Sequence, residues 1–157
     1  MRPSEAIFGE KDWQQLKTIQ AMVAETSRFN DITITPSPTI REKDGLAMSS
    51  RNQYLKTKDR HKALGLKAAL DAIRDEPDPV NAESRMREIL INRGLEVDYA
   101  VVRDAETLLD PQPERPTRGL IAALLQQPDG GTLRLIDNAE AFVGQTTQSS
   151  PSGSASE

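Results

Sequence analysis

Cysteine is absent from this sequence of 157 residues, and with it disulfides, thiolate metal sites and a cysteine nucleophile. Histidine occurs once, at His61, which excludes a histidine-based zinc cluster and any motif that needs two histidines. Six aromatic side chains are too few for an extended stacking platform for single-stranded nucleic acid. No apolar run approaches the ~18 residues a membrane helix needs, and the N-terminus lacks a signal-peptide apolar core. A soluble, cytoplasmic protein with neither membrane nor nucleic acid as partner is the expectation. What is present agrees: 20 Lys and Arg against 24 Asp and Glu leave a net charge of −4, which opposes binding to a phosphate backbone. Hydrophobic residues make up 36%, at the polar end of the globular range, and the length suits one domain or one plus a fragment.

Residues 145–157 are mostly Ser, Thr and Gln with a single Ala, too little apolar surface to offset ordering entropy, so a disordered tail is expected. A second boundary falls near Leu55, dividing a motif-dense segment, 1–55, from an ordinary small domain, 56–144. Trp13, Leu16, Ile19 and Val23 recur at helical spacing and predict a helix over 11–25. Residues 31–35 alternate and are β-branched, a strand that Pro36 and Pro38 should stop. Residues 41–52 lack periodicity and predict a loop. Residues 57–74 read as helix through Leu66, Leu70 and Ile73. Asp78-Pro79 opens a further helix, which Gly94 ends. Leu95, Val97, Tyr99 and Val101 predict a strand with one buried face. Residues 119–126 read as strand or buried helix turn, and 132–136 alternate after the turn signal Asp129-Gly130-Gly131. The expected fold is α/β: the small domain is α+β, two helices on a mainly antiparallel sheet of three strands.

Two segments carry possible chemistry. In Phe8-Gly9-Glu10-Lys11-Asp12, Gly9 permits close backbone approach or a positive φ, and Lys11 brings a positive charge to a helix start. Together they suit a phosphate, with Asp12 able to accept from a ribose hydroxyl and Gln15 one turn beyond Lys11. Read alone, Glu10 and Asp12 complement a helix dipole more simply. In Met48-Ser49-Ser50-Arg51-Asn52, hydroxyls before an arginine can wrap an oxyanion and stabilise a leaving pyrophosphate. Read alone, Ser50 caps the next segment and Arg51 makes a surface ion pair.

Together, the run from Phe8 to Leu16 (FGEKDWQQL) and the run from Pro38 to Leu55 (PTIREKDGLAMSSRNQYL) resemble pantothenate synthetase, the pantoate–β-alanine ligase family, as do Val97-Asp98-Tyr99 and the later Arg134-Leu-Ile-Asp-Asn138. The resemblance implies a nucleotidyltransferase with a Rossmann-like ATP domain, which joins (R)-pantoate to ATP with Mg²⁺ to give pantoyl adenylate. β-Alanine then attacks to give pantothenate and AMP. By position, Gly9, Glu10, Lys11 and Asp12 would line the ATP site, Gln15 would hold pantoate, and Ile40 would meet the adenine. Met48, Ser49, Ser50 and Arg51 would form the loop over the phosphates, with Lys11, Ser49, Ser50 and Arg51 the catalytic set and no metal ligand in the chain. A homodimer is implied as well.

Members of the family carry a long N-terminal portion with a His-x-Gly-His motif that has no counterpart here, and His61 reads as a helix-surface residue. The expectation is a C-terminal portion, active with a complementary N-terminal half. Residues 31–35 would then be a last parallel strand whose neighbours are not encoded, and the inner face of the Trp13 helix would be exposed. A non-catalytic remnant or binding module is the alternative.

Overall fold

A strand that the pattern hides comes first. The computed structural model describes residues 3–128 and 130–141, and in it Glu5–Gly9 (β1) pairs in parallel with Thr33–Ser37 (β2), Ile7 opposite Thr35 and Phe8 opposite Pro36. Residues 31–35 are therefore not without a neighbour in the chain, and the strand lies two residues later than its alternation predicts. Pro36 does not stop it: β2 lies at the edge of a two-stranded sheet, where a missing N–H is tolerated. β1 is hard to read because it is five residues long and turns Ile7, at 67% exposure, outward.

A 3₁₀ turn, Glu10–Asp12, leads into α1, Trp13–Glu25. The α-helix thus begins two residues later than predicted, and Lys11 sits in the turn before it. The inner face of α1 is covered at its N-terminal end, while Ile19 and Val23 further along remain half-buried. Trp13 (9% exposed) and Leu16 (1%) pack against Ala105 and Leu120 of the second half of the chain, beside Tyr99 and Val101. The Trp13 indole Nε1–H donates to the Ala105 carbonyl at 3.0 Å. Asp104 builds the turn that presents that carbonyl: its Oδ1 accepts from the amides of Glu106 and Thr107. Burial pushes the Asp104 carboxyl up, but those amides and the Arg115 guanidinium hold it below the usual range.

The main core belongs to three antiparallel strands, Glu96–Asp104 (β3), Thr117–Gln126 (β4) and Thr132–Ala141 (β5), in the order β3-β4-β5. Helices Arg60–Ala63 (α2), Gly65–Ala72 (α3) and Pro79–Asn92 (α4) cover one face through Leu66, Leu70, Ile73, Met86 and Leu90. The other face meets α1. Central β4 is consequently buried on both sides, Ile121, Ala123 and Leu125 toward the helices and Leu120 toward Trp13. Two buried faces make a continuous apolar run, which is why 119–126 could not be told from a helix by periodicity.

Other departures have local causes. The span 57–74 is not one helix but a 3₁₀ turn, Thr57–Asp59, then α2 and α3 broken at Leu64. Gly65 sits at the break, where a Cβ would come within 3.0 Å of the Arg93 side chain. β3 does not keep one buried face: a bulge between Val97 and Tyr99 leaves Val97, Ala100 and Val102 in the main core and turns Tyr99 and Val101 to α1. Asp78 accepts from the Asn81 amide at 2.9 Å, and Gly94 ends α4 at φ +74°, as its sequence signals require. Gly130 has φ +84° in the β4–β5 turn; Asp129 and the tail 145–157 lie outside the described residues.

Candidate functional site

The two chemical motifs meet at the side of β5. Lys11 from the first, and Ser49, Arg51 and Asn52 from the second, line one narrow crevice with Arg134 and Asp137. Its free volume is about 10 Å³, room for roughly one water or phosphate oxygen. Charge within it is unevenly compensated. Asp137 receives both guanidinium nitrogens of Arg41, at 2.7 and 3.0 Å, and Arg134 pairs with Asp98 at 2.9 Å. Among the described residues, Lys11 and Arg51 have no side-chain ion-pair partner. Two cations without an ion-pair partner among the described residues thus border one crevice.

The loop that carries Ser49 and Arg51 is fixed at its base. Arg41 and Ala47 form a β-bridge, the Glu42 amide donates to the Leu46 carbonyl at 2.8 Å, and Gly45 makes the turn at φ +94°. Leu46 anchors it in the main core. Arg60 bridges the Glu42 and Asp44 carboxylates, and Asn52 donates to Glu42 and to the Ala47 carbonyl. Hydrogen bonds from Asn52 and Arg60 hold Glu42 below the usual carboxylate range, and Arg60 does the same for Asp44. Ser49 then accepts from the Arg51 amide at 3.2 Å and caps the 3₁₀ turn Ser50–Tyr54. The capping serine is Ser49, not the Ser50 of the simpler sequence reading.

The first motif is held from β4 and β5. Arg118, 7% exposed, stacks on the Trp13 ring at 3.6 Å, donates from Nε to Asn138 Oδ1 at 2.7 Å and reaches Glu10 at 3.4 Å. Burial lowers the Arg118 pKa against the opposing pull of Glu10 and Glu140. Asn138 Nδ2 donates to the Glu10 and Lys11 carbonyls at 2.9 and 2.8 Å.

The remaining predicted residues do not line the crevice. Gly9 is extended at φ −70°, and nothing among the described residues would meet a Cβ there, so neither a positive φ nor a tight approach accounts for it. Asp12 makes no cap bond at the start of α1. Gln15 is exposed, while its neighbour Gln14 accepts from the Tyr99 hydroxyl at 3.1 Å. Ile40, Met48 and Ser50 are exposed. His61 is also exposed, and its carbonyl accepts from Arg93. Sequence reasoning missed Arg41, Arg118 and Asn138, whose only signal was charge or amide groups within apolar strands or loops. The donors do not make a magnesium cage: the one carboxylate of the crevice is taken by Arg41, and no cluster of three or more acidic or imidazole groups able to hold a metal occurs among the described residues. No helix among these residues is long and apolar enough to cross a membrane.

The chain is an α/β protein whose lysine turn and serine–arginine loop share one crevice, and comparison with known proteins narrows its class. Residues 1–140 match the family described as Pantoate-beta-alanine ligase, and the chain belongs to that family. It is 45% identical over 145 residues to the pantothenate synthetase of Rubrobacter xylanophilus, and 44% over 149 residues to that of Myxococcus xanthus. The alignments cover 87% and 88% of this chain but 47% and 48% of those proteins, so the chain spans about half the length of the curated relatives it matches. Among solved structures, the pantothenate synthetase of Thermus thermophilus superposes with a TM-score of 0.74 at 37% identity, over 88% of this chain and 50% of that one. The fold is shared at 24% identity and a TM-score of 0.57 with the pantoate-beta-alanine ligase of Francisella tularensis, crystallised with beta-gamma ATP and beta-alanine, over 88% of this chain and 44% of that one.

Proposed function

We propose that this chain supplies the second half of a pantoate–β-alanine ligase site and acts in ATP-dependent pantothenate formation together with a complementary N-terminal half. The observation that carries the reading is the pair of uncompensated cations, Lys11 and Arg51, at one crevice. A crevice of about 10 Å³ accepts phosphate oxygens and no more, so the rest of the nucleotide lies outside it, over exposed Ile40 and Met48. Asp12 accepts from the ribose, and Gln15 faces pantoate. Residues 1–55 serve ATP and pantoate; residues 56–144 are the small domain on which that part rests.

In the first step a pantoate carboxylate oxygen attacks the α-phosphorus, the bond to the bridging oxygen breaks, and pyrophosphate departs with the electron pair. Lys11 and Arg51 neutralise charge as it gathers on the pyrophosphate, while Ser49 and Ser50 donate to its oxygens. In the second step the β-alanine amine attacks the acyl carbon, AMP leaves with the carboxylate-derived oxygen, and the amine proton is lost. No protein nucleophile is needed, only alignment and charge dispersal. Magnesium brought in with the nucleotide would supply further charge neutralisation.

The test is pantoate-dependent exchange of pyrophosphate into ATP, with the N-terminal half of the Rubrobacter xylanophilus relative supplied as a separate polypeptide. Exchange is expected to appear, and Lys11→Ala to abolish it without changing the melting temperature. Exchange indifferent to Lys11→Ala rejects the role of that lysine. No exchange with a supplied half favours a non-catalytic remnant.

A further inference from the structure

Two consecutive residues of β5 reach opposite sides of the crevice. Asp137, side chain 2% exposed, takes both nitrogens of Arg41 and so ties down the base of the Ser49–Arg51 loop. Asn138, 3% exposed, turns the other way, as neighbours on a strand must, and donates to both carbonyls of the Glu10–Lys11 turn. Arg118 holds the amide in that orientation by donating to its oxygen, and is itself locked against the Trp13 ring. Lys11 and Arg51 would repel one another with nothing between them, yet both stand at a crevice with room for one water. Asn138 bonds the backbone of the lysine turn directly, and Asp137 holds the loop through the Arg41 guanidinium, which also donates to the Gly45 carbonyl; the Cα atoms of the two residues are a single residue step apart.

We infer that Asp137 and Asn138 are a positioning pair that sets the distance between the lysine turn and the serine–arginine loop, holding the two cations ready for one polyphosphate. The inference rests on the functional reading of the crevice and deepens it. Asn138 acts through the backbone it holds, and Asp137 through the Arg41 side chain it holds. β5 stands between turn and loop and is itself paired along its whole length with β4. A loop or helix end in its place would transmit its own motion to the cations.

The discriminating variant is Asn138→Asp. It keeps an oxygen for Arg118 but removes the side-chain amide donor to the two carbonyls, so a role confined to Arg118 would survive it and a positioning role would not. Two measurements are made on the full chain: amide hydrogen exchange, and chemical-shift titration with magnesium-ATP, with Asn138→Ala and Asp137→Asn in parallel. Exchange across residues 10–13 should quicken about tenfold or more in both Asn138 variants, and across 41–47 in Asp137→Asn, with the β4–β5 amides unchanged. ATP affinity should fall about tenfold in each variant, the loss of one or two hydrogen bonds to positioned groups. Asn138→Asp matching the wild type in both measurements overturns the inference. Wild type showing no ATP shifts at residues 9–12 and 49–51 overturns the functional reading, while quickened exchange in that case still supports the clamp between turn and loop and unchanged exchange overturns it.

Discussion

Trp13 is the residue on which most depends. Its ring lies under the Arg118 guanidinium at 3.6 Å and near the Lys17 ammonium at 4.8 Å, and its N–H closes on Ala105. Without it, Arg118 would lose its stacking partner while remaining largely buried. Trp13→Ala is expected to cost about 3–5 kcal/mol, the range for truncating a buried aromatic, read as a lower urea midpoint. Trp13→Phe keeps a ring under Arg118 but loses the indole bond and part of the buried ring volume, so a smaller loss than for Trp13→Ala is expected. At the residue scale the two motifs were legible because they are polar groups in unusual succession. Asn138 was not, since an amide at the end of an alternating strand carries no mark of the carbonyls it will meet 127 and 128 positions away.

At the scale of elements, the loop 41–47 and strand β4 behave oppositely. The loop depends on ion pairs: the Glu42 and Asp44 carboxyls are held below their ordinary values by Asn52 and Arg60. A carboxyl with a lowered native pKa contributes stability that is complete above its unfolded value and lost as pH falls through the native one. Protection of the loop amides, corrected for the intrinsic pH dependence of exchange, should therefore be flat near neutrality and fall below about pH 4, and Arg60→Gln should weaken that dependence. β4 depends on packing instead. A Cβ at Gly119 would stand 2.8 Å from Ile73 Cδ1 and 3.1 Å from Leu70 Cδ2, so Gly119→Ala is expected to destabilise by about 1–3 kcal/mol on thermal melting. Helix α4 was legible in sequence because its start and stop are local chemistry, Asp78-Pro79 and Gly94. β1 and the bulge in β3 were not, because each exists only through a strand that lies elsewhere in the chain.

Across the whole molecule a net charge of −4 surrounds a crevice bordered by two uncompensated cations, so the proposed anion binding would be local rather than a property of the overall field. Affinity for pyrophosphate, measured by calorimetry, should fall several-fold as salt is raised from about 0.05 to about 0.5 M, since the Debye length shrinks toward about 4 Å. Lys11→Ala should flatten that dependence. The sequence alone determined the chemistry on offer, the termini of α4, the antiparallel strands β3 and β5 and the family resemblance, because caps, alternation and consecutive polar motifs act over a few residues. Only the tertiary structure decided that the Trp13 face is covered by Ala105 and Leu120, that β2 has β1 beside it, and that Lys11 and Arg51 share a crevice braced by Asp137 and Asn138. Those outcomes join residues from about 30 to well over 100 positions apart, and such contacts come from burial and hydrogen-bond satisfaction in three dimensions, which no local pattern records.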